Sequence, residues 1–159
     1  MIEVRAREPA DEPAVRAFLA ERHSDRVARL GRLEYPLDHP ALLAERGGLL
    51  AGVLTYVIDG EDCEILTLHA AERLRGTGTE LVRHVERLAA ERGCGRLWLL
   101  TTNDNVDALR FYQRRGFRLV ELHPGAIDEA RARLKPELPE LGDHGIPIRD
   151  ELILEKEIE

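Results

Sequence analysis

The chain has 159 residues, enough for one domain with a sizeable core. Its 43% hydrophobic and 33% charged content excludes a disordered chain, and a net charge of −7 argues against a broad nucleic-acid-binding face. Two cysteines outside any metal-ligand spacing, no apolar stretch of membrane-spanning length and an acidic, proline-broken start predict a cytoplasmic protein with reduced thiols and no membrane partner.

Ile2 to Arg7 alternates apolar and charged residues, the pattern of a half-buried strand. Asp11 is placed to cap a helix that carries Pro13 in its first turn and Val15, Phe18 and Leu19 on one face. Residues 23–40 hold no firm period and are read as a short helix followed by a loop. Gly47-Gly48 between two apolar runs predicts a hairpin of strands over 41–46 and 49–58, and Asp59-Gly60 turns the chain into another strand over 63–69. From Gly78 the spacing of Leu81, Val82, Val85, Leu88 and Ala89 is helical, and Gly93 ends that helix.

Leu97 to Leu100 marks a buried strand over 96–102. Asn103, Asp104 and Asn105 offer caps for a helix running to Gln113 and stopped at Gly116. A strand follows over 117–122, then Pro124-Gly125, a short helix over 127–134, a loop rich in proline and glycine to Pro147, and a last alternating strand over 148–158. No repeat or linker divides the chain, so a single domain over 1–159 is expected.

Two segments carry chemistry. Arg73-x-x-Gly76-x-Gly78 lies between a strand and a helix, where glycines admit close backbone approach and the free N–H groups of the first helical turn face an anion. A Walker-type site is disfavoured, because Thr79 and Glu80 stand where lysine and a hydroxyl residue belong. A dinucleotide fingerprint is disfavoured as well, because Leu81 replaces its third glycine. About thirty residues on comes Asn105-x-x-Ala108-x-x-x-Tyr112-x-x-x-Gly116-Phe117, a capped helix leading into a strand.

Together, in this order and setting, the two segments resemble the GNAT superfamily of acetyl-CoA-dependent N-acetyltransferases. The resemblance covers nearly the whole chain. It implies an α/β (α+β) fold: a mixed, mostly antiparallel seven-stranded sheet with helices on both faces, the strands over 63–69 and 96–102 splayed apart. It implies acetyl-CoA as acyl-donor co-substrate, with the pyrophosphate held by Arg73, Leu74, Arg75, Gly76, Thr77, Gly78 and Thr79. By the same resemblance the backbone of Leu66, Leu68 and His69 pairs with the pantetheine arm, the amide of Leu68 polarises the thioester carbonyl, and Asn105 contacts the coenzyme. Tyr112 would bind the coenzyme and protonate its departing thiolate, a role open to a phenol; the bland alternative is a buried aromatic beside Phe111.

An amine must lose a proton before attack. Some relatives carry a glutamate five residues before the motif asparagine, but Leu100 stands there. Glu64 is the first candidate base and His69 the second, each against the alternative of a structural residue or of water acting instead. The remaining histidines show no metal spacing, so no metal is expected. Cys63 and Cys94 lack an activating partner, which favours direct attack in a ternary complex over an acyl-enzyme. The expected activity is transfer of acetyl from acetyl-CoA to a primary amine of a small molecule or protein. The alternative is a degenerate domain that binds acyl-CoA without catalysis, disfavoured by retention of Asn105 and Tyr112. The excursion over 124–147 either closes over the acceptor or joins two copies as a homodimer.

Overall fold

The computed structural model describes residues 1–73 and 75–159. In chain order the described elements are β1 (Ile2–Ala6), α1 (Glu12–Glu21), β2 (Val27–Arg29), β3 (Arg32–Glu34), β4 (Ala41–Arg46), β5 (Leu49–Asp59), β6 (Asp62–Ala70) and α2 (Thr77–Glu91). They continue with β7 (Arg96–Thr102), α3 (Val106–Arg114), β8 (Arg118–His123), α4 (Ala126–Arg133) and β9 (Glu151–Glu157). Seven strands form a mixed sheet in the order β1-β4-β5-β6-β7-β9-β8, and β2 and β3 pair separately, so the fold is α+β as expected. The contacts divide into two compact units. The first is Met1–Arg26 with Tyr35–Leu97 and Ile158–Glu159; the second is Val27–Glu34 with Trp98–Glu157.

In the first unit β1, β4, β5 and β6 make an antiparallel meander. Gly47 and Gly48, both at positive φ (60° and 79°), form the turn between β4 and β5, as a two-residue hairpin of this hand requires. Helices cover both faces of this meander. Val15, Phe18 and Leu19 of α1 cluster with Ala41, Leu43 and Val53 on one face. Gly52, the residue before Val53 on β5, points the other way, where a Cβ would meet Thr77 and Leu81 of α2. Burying Leu81, Val82 and Val85 against that face contributes about 1.5–3 kcal/mol each. Gly93, at φ 83°, ends the helix, and Cys94 N–H returns to the Ala89 carbonyl.

Three local expectations are corrected. Residues 27–34 form a hairpin rather than a helix, because Leu30 and Gly31 both take positive φ (47° and 76°) and reverse the chain between Arg29 and Arg32. Asp11 precedes α1 but makes no side-chain cap. Its carboxylate accepts from Arg5 and from the Glu8 N–H at 2.8 Å, and Arg5 holds it well below the usual carboxylate range. Finally β9 starts at Glu151, not at residue 148. Ile148 N–H goes to the Glu140 carbonyl, and Arg149 and Asp150 N–H both go to Asn103 Oδ1.

In the second unit the excursion over 124–147 is folded, not a slack loop. Arg131 of α4 donates to the carbonyls of Leu138, Pro139 and Ile148, all within 2.9 Å, and Leu141 bridges to Pro147. Asp150 receives the Gly125 N–H at 2.8 Å and so fixes the start of α4.

Candidate active site

β6 carries four of the expected residues, and its pairing with β5 is irregular at a telling place. Tyr56 pairs with Ile65 and Thr55 with Thr67, so Leu66 is an extra, bulged residue. A bulge shifts the side-chain alternation by one. Glu64 and His69 are five apart and would face opposite sides of a regular strand. Here Glu64 opposes Val57, Thr67 opposes Thr55 and His69 opposes Val53, so all three share the α1 face. Thr55 and Thr67 hydroxyls are 2.6 Å apart, and Glu64 is 5% exposed. The two candidate bases therefore belong to one buried polar stripe.

His69 Nε2 lies 2.8 Å from the Ser24 hydroxyl. Burial, with the Arg22 guanidinium adding to it, pushes the imidazole down to about 4, so the ring is neutral at pH 7. Ser24 joins the site from the end of α1, and no sequence pattern singles it out.

Beyond β6, Glu72, Arg73 and Arg75 are exposed, with Arg75 paired to Glu72 at 2.8 Å. Arg46 Nη2 donates to the Arg75 carbonyl at 3.0 Å, which ties the loop to β4. Gly76 heads α2 at φ 81° and ψ 0°, its carbonyl accepting Glu80 N–H, with open space where a Cβ would be. Thr77, Gly78 and Thr79 make the first turn of α2, at the positive end of the helix dipole. A glycine in a left-handed turn, an open approach and a helix N-terminus fit a diphosphate ligand. Leu74, the remaining expected loop residue, lies outside the described residues.

The second unit brings Asn105 and Tyr112 onto α3. Asn105 caps the helix, its Oδ1 accepting Ala108 N–H at 3.2 Å. The two preceding polar residues are not spare caps. Asn103 Nδ2 donates to the Pro147 carbonyl, and Asp104 accepts from Thr102 and from Asp143 N–H. They clamp the segment over 142–150, a tertiary role that local sequence does not reveal.

Tyr112 is 6% exposed and meets Phe111 and Phe117 edge-on, with centroids 5.0 and 5.2 Å apart. Burial raises its phenol above the ordinary range, so it stays protonated across neutral pH. Cys63 and Cys94 are buried free thiols, both pushed up chiefly by burial, Cys63 to about 12. Neither is a thiolate nucleophile at pH 7. Among the described residues no helix is long and apolar enough to cross a membrane, and no cluster of metal-ligating side chains forms.

The family model described as Acetyltransferase (GNAT) family matches residues 6–117. The protein YdhI of Bacillus subtilis (strain 168) is 46% identical over 123 residues, 77% of this chain and 76% of its own length. A streptothricin acetyltransferase of Streptomyces lavendulae is 37% identical over 143 residues, covering 82% of this chain and 73% of that protein. The crystal structure of a GNAT family acetyltransferase from Elizabethkingia anophelis with acetyl-CoA bound superposes with a TM-score of 0.69 at 20% identity, covering 99% of this chain and 98% of that one. Its likeness is one of fold. With its motifs in order on this α+β frame, the chain belongs to the GNAT acetyltransferase family and is an acetyl-CoA-dependent N-acetyltransferase.

Proposed function

We propose that residues 1–159 act as one acetyltransferase domain, moving acetyl from acetyl-CoA directly to a primary amine in a ternary complex. The observation that carries the proposal is the bulge at Leu66. A bulged residue is released from the ladder, so the backbone of Leu66 has a reason to serve a ligand rather than β5, while Leu68 and His69, which pair with Leu54 and Val53, are assigned to the pantetheine arm by the family resemblance. The pyrophosphate is assigned to Arg73, Arg75, Gly76, Thr77, Gly78 and Thr79, and Asn105 adds an amide contact.

Glu64 is the preferred base, relayed through water. His69 is the weaker choice, because its ring is already engaged by Ser24 and holds a proton only in acid. Tyr112 returns a proton to the departing thiolate. The raised thiols of Cys63 and Cys94 support direct attack over an acyl-enzyme. The Streptomyces relative, named for its action on streptothricin, supports a small-molecule acceptor.

Amide shifts recorded during titration with acetyl-CoA test the assignment. Perturbations are expected at Leu66, Leu68, Gly76 to Thr79 and Asn105. Saturable binding that leaves those amides unmoved would remove it.

A further inference from the structure

Ser24 and His69 meet at the end of α1, and both belong to the first compact unit, as does all of β6. The way α1 ends is what presents the serine. Ser24 N–H returns to the Leu19 carbonyl at 2.9 Å and His23 N–H to the Ala20 carbonyl at 3.1 Å. Those two bonds close a Schellman motif around the cap residue Arg22. The position after the cap is left-handed and is usually glycine. Here it is His23, at φ 56°, a conformation that strains a residue with a side chain. The strained turn fixes Ser24, itself buried, against the ring of His69.

Hydrogen counting then sets the imidazole. Ser24 Oγ lies 2.8 Å from His69 Nε2 and 3.3 Å from the Arg22 carbonyl oxygen. A serine hydroxyl has one hydrogen to give, and a carbonyl can only accept. Both contacts are hydrogen bonds only if the serine donates to Arg22 and His69 Nε2–H donates to the serine. The neutral ring then carries its lone pair on Nδ1. Among the described residues Nδ1 has no hydrogen-bond partner, and it is not sealed from solvent. Burial and the Arg22 guanidinium keep the ring neutral at pH 7. Nδ1 is therefore a poor base but a standing acceptor.

The two ends of the polar stripe have separate tasks. Glu64 opposes Val57 and His69 opposes Val53, which sets them about 13 Å apart by the rise of an extended strand. One amine nitrogen cannot touch both. His69 directly follows Leu68, whose amide is assigned to the thioester carbonyl, so His69 is the end beside the reacting nitrogen.

We infer that Ser24 is a positioning residue: it holds His69 as the Nε2–H tautomer, so that Nδ1 accepts a hydrogen bond from the attacking amine and selects primary amines. This rests on the amine-acetylation reading above. A neutral primary amine has one lone pair and two N–H bonds. The lone pair forms the C–N bond as the C–S bond breaks. One N–H proton leaves through water to Glu64, and Tyr112 supplies the proton taken by the thiolate. The second N–H remains in the amide product, and Nδ1 holds that one. No proton is transferred at His69. A secondary amine has a single N–H, which is lost to Glu64, and it leaves Nδ1 without a donor.

Nitrogen-15 spectra of the imidazole read the tautomer directly. In the wild-type protein Nε2 should carry the hydrogen, and a hydrogen on Nδ1 overturns the inference. In Ser24→Ala the two tautomers should mix while the affinity for coenzyme A stays unchanged; a ring that keeps its single tautomer removes the role of the serine. Thiol release is then followed for a panel of primary amines, cadaverine among them, each beside its N-methyl counterpart. The wild-type protein should favour the primary amine in kcat/KM, and Ser24→Ala should shrink that preference about three- to tenfold, the worth of one hydrogen bond. The bulk of the methyl group is the same obstacle in both proteins and cancels in the comparison. A preference unchanged by Ser24→Ala overturns the selection alone. Should Ser24→Ala fail to fold, the wild-type protein decides: cadaverine added to the coenzyme A complex must move the Nδ1 resonance, and its silence overturns the contact. Release with no primary amine, from a protein that binds acetyl-CoA and shows the fixed tautomer, contradicts the acetylation reading, and the selection falls with it.

Discussion

Replacing Tyr112 by phenylalanine isolates one hydroxyl. Both edge-on contacts, to Phe111 and Phe117, survive in the variant; each such contact contributes about 0.5–1.5 kcal/mol. Stability should therefore change by no more than about 1 kcal/mol, the ordinary net worth of a hydrogen bond. In a domain of this length that moves Tm by about 2–4 °C at most. A lost general acid costs about 10²–10⁴ in rate, equivalent to about 2.7–5.4 kcal/mol of barrier at 1.36 kcal/mol per decade. Turnover should fall by that factor, while the coenzyme A dissociation constant stays within about twofold. Because burial holds the phenol above its ordinary range, the wild-type kcat profile should show no limb from Tyr112 near neutral pH. Alanine is the poorer probe: it removes both ring contacts and leaves a cavity costing about 3–5 kcal/mol. The assay is thiol release at saturating acetyl-CoA, alongside calorimetry and a melting curve. Unchanged turnover with a lowered Tm would assign Tyr112 a packing role and refute the acid.

Other outcomes follow from the same geometry. Folded His69 titrates near 4 against about 6.5 unfolded, so the unfolded chain binds more protons between those values. Its contribution is fully present above about 6.5 and is lost as pH falls toward 4; the difference in Tm between wild type and His69→Gln should vary across that window, and a constant difference would refute the shift. A Cβ on Gly142 would strike the Asp104 carboxylate and Ile148; Gly142→Ala should cost about 1–3 kcal/mol in chemical denaturation, and an unchanged midpoint would show that the clamp yields freely. Gly76 has open space around it but a φ of 81°. Gly76→Asn should keep the fold, since asparagine tolerates this conformation, whereas Gly76→Val should weaken acetyl-CoA binding severely; tight binding by the valine variant would contradict the loop assignment.

Elements whose residues announce themselves were legible in the chain. The strand over 96–102 is found as expected because its apolar run is bounded by Gly95 and the polar trio that follows. The hairpin at Gly47-Gly48 was equally plain, since both positions need positive φ. The hairpin over 27–34 was not, because Leu30 occupies a left-handed position where the expected signal is glycine or asparagine. The bulge at Leu66 has no residue marker at all, yet it decides that Glu64 and His69 face the same side. Asn103 and Asp104 read as surplus caps because their partners lie about forty residues away. Glu151 looked like one more charged position in an alternating strand. Its burial depends on a hairpin and a helix that arrive from distant parts of the chain.

The central claim is direct acetyl transfer to an amine. Its most direct measurement incubates the protein with acetyl-CoA and a panel of primary amines, cadaverine among them, following thiol release and the masses of both amine and protein. The account predicts acceptor-dependent thiol release, one acetylated amine per thiol, intersecting initial-rate lines, and no acetyl group on Cys63 or Cys94. Acetyl-CoA binding without acceptor-dependent release, or a protein-bound acetyl that later passes to the amine, would contradict it.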